Sequence, residues 1–542
     1  MKSKFKYHWR DKNKLDKDHI YLTNLYEKYL IYLSDLLNEF HKDNKDIKYW
    51  RIIIGSWLRF FIDIVFDRYE TLKLNNKKLL RKISLEKYNN LELRSSDFES
   101  FLKESYNDDW NENLINIIQG TYNFSKPTKN KFSNTNYKKF SFKNVLKKIC
   151  IKTINPLNRL INKDILVIDP GINLKALLKF SIGSRILPYF TKKRKLTLTP
   201  QNDWKVFYKD INHFKFSTDF EEILNQLIFL YIPAIYTDNF LNFKKATLND
   251  LKNLPKIIFT SYGYEKNEEY KIIAAETYLN GGKILIAQHG GNIGMAKNHQ
   301  TETHQLKIST HFYSYGWDIK NDKEGKIIKM PSMQLSSFGY PTPNKSGKII
   351  NILGSFPRYF YTLFGQPLGP EFIDYINLQK ELSNNLNKEI SSKLYHRLDG
   401  DKYGWNTYKL LQDLDLKVSR SNITLVNELK ENSLCISSYN STAALETLSA
   451  NYPTILFWPK NLVLLRKEAR KYLEQLGEVG IFHTDAKSAA NHINNITNNV
   501  ESWWNETSVQ KARNIFISRY ALSSKDWVRY WKNELIKQSK IR

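Results

Sequence analysis

A chain of 542 residues is too long for a single hydrophobic core, so two or three domains are expected. With 41% hydrophobic and 14% aromatic residues it can fill those cores, which excludes an intrinsically disordered protein. The formal net charge of +28 points to an anionic partner, nucleic acid or membrane, but the same chain is rich in Asn, Ile and Tyr, as a biased coding composition produces, so the placement of the charge carries more information than its sum.

Roughly the first 110 residues repeat apolar positions at three- and four-residue spacing, which predicts an N-terminal helical region. Within it YWRIIIGSWLRFFIDIVFDRYETL (49–72) is interrupted by Arg51, Arg59, Asp63, Asp67 and Arg68 and reads as a core helix rather than one lying on a membrane. No stretch approaches the about 18 uncharged apolar residues of a membrane span, and MKSKFKYHWRDKNK lacks the apolar core of a signal peptide. Between Glu112 and Asp164 there is no carboxylate, and KPTKNKFSNTNYKKFSFKNVLKK (126–148) is densely basic; a solvated linker is expected, with a membrane-facing patch as the alternative. Cys150 and Cys435 stand far apart and outside any CxxC or Cys/His pattern, so neither a disulfide framework nor a structural zinc is indicated and a reducing cytoplasm fits.

Beyond the basic stretch the texture becomes α/β. Short branched runs at DILVID (164–169), KIIFTS (256–261), KILIAQ (283–288), KIINILGS (348–355), KLYHRL (393–398), LCISS (434–438), TILFW (454–458) and VGIFH (479–483) alternate with helical segments, the pattern of parallel sheets wound with helices. FGYPTPNKSG (338–347) breaks the series and reads as a hinge. The expected organisation is a helical region with basic linker over 1–163, Rossmann-like domains over 164–343 and 344–500, and a C-terminal helix over 501–542 crossing back. Two such domains facing a cleft give a GT-B-like α/β fold.

Three constellations could carry chemistry. KILIAQHGG (283–291) ends a buried strand in Gln288 and His289 ahead of Gly290 and Gly291, where glycines allow a sharp turn and close approach to a ligand at a strand's carboxyl end. In LCISSYNSTAALETLSANYPTILFW (434–458) a strand runs through Ser438 and Asn440 into Ser441 and Thr442, which open a helix; its free N–H groups suit a phosphate, and Glu446, one turn inside, suits ribose hydroxyls. Ordinary capping with a solvated glutamate explains that spacing equally well. KLYHRLDG (393–400) puts His396 and Arg397 near another strand end, where they could meet a nucleotide phosphate if that strand neighbours 434–438. His289, His299, His304 and His311 crowd one window with Glu302, but in no HxxxH or HExxH pattern, so acid–base work by His289, Glu302 and His304 is expected rather than a metal site.

Taken together, the 49–72 segment, AQHGGNIGMAKNHQTETHQLKIS, FYSYGWD, ILGSFPRYFYTLFGQPLGPEF, SYNSTAALETLSANYPTILFW and VESWW resemble a transferase family encoded in bacterial O-antigen and surface-polysaccharide clusters. That family is similar in turn to GT-B transferases of Kdo and sialic-acid-like sugars, in which a His-Pro motif and a Ser/Thr-rich motif hold CMP. The resemblance places those roles on His396 and on Ser438, Ser441 and Thr442, with Arg397 standing where the first motif has proline. It implies a cytoplasmic, metal-independent glycosyltransferase without cofactor, peripheral at the inner face of the membrane. Its partners would be a CMP-activated donor, a glycan, lipid-linked or protein acceptor and an anionic membrane surface, with no nucleic acid. A CDP-glycerol or UDP-sugar transferase, and a non-catalytic basic protein binding nucleic acid or membrane, are the competing expectations.

Overall fold

The computed structural model describes residues 6–80, 93–121, 142–192, 216–319, 325–345, 347–363, 367–398, 403–419 and 423–540, with residues 194, 204, 207 and 400. The basic segment 126–148 lies outside them except for the backbone of 142–148, which opens helix Phe142–Ile161. Among the described residues no helix is long and apolar enough to cross a membrane.

Asp11 caps helix Lys12–His41 by accepting from the N–H groups of Asn13 and Lys14, and Asp46 caps helix Ile47–Leu74 through the N–H of Tyr49. The second helix is buried at every position from Tyr49 to Tyr69. Its apolar side chains require that, and its ionised groups survive there because each has a partner. Arg51 forks onto Glu27 at 2.9 and 2.7 Å. Arg59 meets Asp63 at 3.0 Å, where burial still lifts the Asp63 carboxyl to about 6 against the pull of Arg59. Asp67 gathers Tyr7, His8 and Arg68. One half of the helix binds the first α/β unit through Tyr49 to Glu276 (2.9 Å) and Ser56 to His304 (3.1 Å). The other half reaches the second unit, where Arg68 donates to the Phe360 carbonyl at 3.0 Å.

The first sheet contains β1 (Ile165–Val167), β2 (Ile257–Thr260), β3 (Lys283–Ala287), β4 (His311–Ser314) and β5 (Ile327–Lys329), all parallel and in sequence order. Side chains alternate with period two. Ile258, Ile284, Ile286 and Phe312 join the core shared with the N-terminal helices, whereas Val167, Phe259, Leu285 and Tyr313 pack on the opposite face. That opposite face is covered by the last helix, Trp527–Lys540. The Trp531 ring lies 5.0 Å from both Phe259 and Tyr313, and its Nε1 donates to the Pro331 carbonyl at 2.8 Å.

The second sheet contains β6 (Lys348–Leu353), β7 (Leu394–Leu398), β8 (Val418–Ser419), β9 (Asn432–Ser437), β10 (Thr454–Phe457) and β11 (Phe482–His483), again parallel, in the order β11-β10-β9-β6-β7-β8. The chain winds outward from β6 through β7 and β8, then returns to β9 and winds the other way. This doubly wound order creates a switch point between β6 and β9, and the crevice beyond their carboxyl ends is where such sheets bind ligands. Two parallel α/β sheets with an N-terminal helical region realise the expected α/β fold. β4, β5 and β8 do not stand out in the sequence as apolar runs, since each ends in a polar residue and His311–Ser314 also opens on one.

Trp531 is 1% exposed and seals the first sheet's outer face. Trp531→Ala should therefore cost about 3–5 kcal/mol of stability, the range for an emptied aromatic site, read from the urea midpoint. A loss below about 1 kcal/mol would mean that the C-terminal helix does not hold that face.

Candidate functional site

The carboxyl edges of the two sheets meet through the two motifs that stand out in the sequence. The hydroxyl of Thr442, first residue of helix Thr442–Ser449, accepts from the Gly291 N–H at 3.1 Å. A Cβ on Gly291 would lie 2.5 Å from the backbone carbonyl of Ser441, so glycine is required there by the other unit's backbone. At Gly290, by contrast, a Cβ would meet nothing closer than 3.9 Å.

Two further contacts close the cleft. Gln334, in helix Met333–Ser337, donates to the Glu446 carboxylate at 2.9 Å. Residues 295–297 pair with the 464–466 segment, where Lys297 N–H reaches the Leu464 carbonyl at 3.0 Å and Arg466 N–H the Met295 carbonyl at 2.9 Å. A small cavity at the ends of β1 to β4 is lined by residues of the first unit and the last helix, among them Ser261, His289, Tyr315, Ser332 and Gln334.

His289 stands at that cavity with its ring 4.3 Å from Tyr262, which is 45% exposed. Its Nδ1 is buried and has no hydrogen-bond partner, and burial lowers its pKa to about 4, so the imidazole is neutral at physiological pH and offers a hydrogen bond rather than a charge. Glu446 has the opposite tuning. Burial raises its carboxyl to about 7, with Gln334 pulling the other way, which puts its ionisation where a proton acceptor is useful. Asn440 is 6% exposed and its Nδ2 has no partner. A buried donor left without a partner is available to a ligand or a water.

Other expected site residues are engaged elsewhere. Gln288 is a clamp: its Nε2 donates to the carbonyls of Gly290 and Ile293, and its Oε1 accepts from Tyr315 N–H and Trp317 Nε1. With those bonds made it shapes the His289 turn rather than touching substrate. Glu302 accepts from Gly294 N–H at 2.7 Å through one oxygen and from Arg466 at 2.5 Å through the other, so it is a strut between the units, not a base. His304 points away from the cavity, bonded to Ser56 of the N-terminal helix, and burial takes its pKa to about 3. The histidine window disperses further, with His299 capping helix Gln300–Ile308 and His311 opening β4. Among the described residues no group of three or more His, Cys, Asp or Glu side chains is placed to hold a metal ion.

The condition set for His396 and Arg397 fails, because β7 pairs with β6 and β8 and never touches β9. His396 lies mid-strand, 1% exposed, against Asn351 at 3.0 Å. Arg397 is ion-paired with Glu428. Ser438 is taken by the Tyr375 hydroxyl at 2.7 Å, which also receives the Gly354 N–H at 3.0 Å and so ties the ends of β9 and β6 together. Ser441 caps its helix through Ala444 N–H, the ordinary role for a serine there. His289, Asn440, Thr442 and Glu446 remain at the cleft. Ser261, Tyr262, Ser332 and Gln334 join them without having been singled out. Ser261 and Tyr262 follow a strand that was legible, so the rule that ligands meet strand ends could have found them.

A family described as LIC12162 family transferase matches residues 2–535. No curated protein matches the chain. Among solved structures, a protein described as a UDP-N-acetylglucosamine 2-epimerase from Listeria monocytogenes aligns at 9% identity over 69% of this chain and 95% of its own, with a TM-score of 0.39. The glycosyltransferase of kitacinnamycin aligns at 9% identity over 69% and 99%, with a TM-score of 0.33. MurG of Acinetobacter baumannii aligns at 10% identity over 69% and 99%, with a TM-score of 0.32. At such scores the description of the fold rests on the chain's own topology.

The asymmetry between the glycines is testable. Gly291→Ala should force the units apart and raise amide hydrogen exchange across 438–446, while Gly290→Ala changes stability by less than about 1 kcal/mol. Equal, small effects from both would show that the contact with Thr442 is not a constraint.

Proposed function

The chain belongs to the LIC12162 family of transferases, and from that premise we propose that it is a cytoplasmic glycosyltransferase moving a CMP-activated nonulosonic or Kdo-like sugar. The acceptor in this reading is a bacterial surface glycan, a lipid-linked precursor or a glycoprotein. The observation that carries it is the meeting of the His289–Gly291 turn with the Thr442 helix start, which brings an imidazole whose Nδ1 has no partner, the unpaired Nδ2 of Asn440 and a carboxyl tuned to about 7 to the carboxyl edges of two parallel sheets.

In this reading the acceptor hydroxyl attacks the anomeric carbon, the bond from that carbon to the nucleotide phosphate breaks, and the hydroxyl proton passes to Glu446. The departing phosphate gains negative charge, which suits the start of helix Thr442–Ser449 and the Asn440 amide. His289 and the exposed ring of Tyr262 orient the acceptor sugar. These roles fall on protein groups alone. Access for a nucleotide requires the units to part at Gly291, where their backbones now touch.

Thermal-shift measurements with CMP, CDP, UDP and GDP test the donor, since only a bound nucleotide raises the melting temperature. Stabilisation by CMP supports this reading, preference for CDP or UDP replaces the donor with CDP-glycerol or a UDP-sugar, and no response to any nucleotide removes it. The ionised form of Glu446 populates as pH rises through about 7, so turnover should climb across that range. Glu446→Gln should abolish that limb. The same raised pKa makes the Glu446 contribution to stability largest below its unfolded value of about 4.5 and lost as pH rises through about 7. His289→Ala removes an orienting hydrogen bond and should lower turnover by about tenfold with nucleotide affinity nearly unchanged. Near-normal turnover in both variants would take the chemistry away from this cleft.

A further inference from the structure

Two helices of the first α/β unit turn rows of aliphatic side chains into solvent. Helix Leu174–Ser184 packs inward through Ala176, Phe180 and Ser184, and its other face presents Leu174, Leu178 and Ile182 at four-residue spacing, 57, 55 and 79% exposed. Helix Phe142–Ile161 docks through Asn155 and Asn158, whose amides donate to the carbonyls of Phe190 and Leu187, and this leaves Leu157, Leu160 and Ile161 outward, 49, 73 and 59% exposed. The carboxyl ends of the two helices are tied together, since the Asn162 side chain donates to the Arg185 carbonyl and accepts from the Leu187 N–H. One exposed leucine is ordinary; two exposed aliphatic rows on helices joined at their carboxyl ends are the kind of apolar surface that marks an interaction site.

The charge around the rows identifies the partner. Lys152, Lys163, Lys175, Lys179 and Arg185 are all exposed on or beside the same helices. Between Glu112 and Asp203 the sequence contains two carboxylates only, Asp164 and Asp169. A second copy of the chain would set this positive surface against itself, whereas an acidic bilayer offers negative headgroups and hydrocarbon at the same depth. We propose that this face seats the protein on an anionic membrane, with the Leu and Ile rows in the boundary between headgroups and acyl chains and the lysines on the phosphates. The placement suits a lipid-linked acceptor, a point that rests on the glycosyltransferase reading: Gly171, three residues before the helix start at Leu174, already lines the cavity below His289.

The test uses the full chain in vesicle flotation, with phosphatidylcholine alone and with phosphatidylglycerol added. The wild-type protein should float with the acidic vesicles, far less with neutral ones, and progressively less as salt rises. The double variant Leu178→Glu, Ile182→Glu changes two exposed positions and should lose at least about tenfold in vesicle affinity. Its melting temperature and nucleotide-induced shift should match those of the wild type. No flotation of the wild type, or equal flotation of the variant, overturns the proposal. So does a dimer in light scattering that the same variant dissolves while vesicles are ignored, which would make the face an interface between copies. Vesicle binding without any nucleotide response would retain the membrane seat and discard the donor reading, so the two fail separately.

Discussion

A helix buried along its length can keep ionised side chains only if each finds a partner, and helix Ile47–Leu74 buries Arg51, Arg59, Asp63, Asp67 and Arg68. Those partners come from everywhere: Glu27 on the preceding helix, His8 and Tyr7 from the N-terminus, Asn111 from a later helix, and the Phe360 carbonyl from the second α/β unit. Removing Glu27, whose carboxylate accepts two bonds from the Arg51 guanidinium, leaves a charge in the core without its ion-pair partner, a cost of several kcal/mol. The helix therefore acts as a common spine that is bonded to both units, which also meet each other directly.

On that frame the cleft is closed by contacts with little freedom. Gly291 lies against the Ser441 carbonyl with no room for a methyl group, and Glu302 spends both oxygens on Gly294 and Arg466. Such a closure fixes His289 on one unit and Glu446 on the other, with Glu446 itself held by the amide of Gln334. The shifts of the two groups have one cause, burial, which opposes charge in both: it keeps the imidazole neutral and delays ionisation of the carboxylate.

The polar residues at the strand ends divide by satisfaction. Gln288, Glu302, Ser438 and Ser441 each complete bonds that the fold itself needs, and a buried polar group so satisfied has nothing left for a ligand. His289 Nδ1 and Asn440 Nδ2 are left over. Chemical type could not separate these groups, since a glutamine before a Gly-Gly pair and a serine before a helix look equally suited to either duty.

Elements set by neighbours along the chain were legible in the sequence. All eight branched runs became strands and the interrupted apolar segment at 49–72 became a core helix, because periodicity is local, while Ser441, expected at a phosphate with capping as the competing reading, caps its helix. Tertiary structure alone decided which strands adjoin. The insertion of β6 between β7 and β9 moved His396 from an expected phosphate site to the sheet interior, and no local pattern encodes strand order. It also decided why Gly291 is glycine, since the atoms that forbid a side chain there belong to Ser441 and Thr442, brought to it across the cleft from a different sheet.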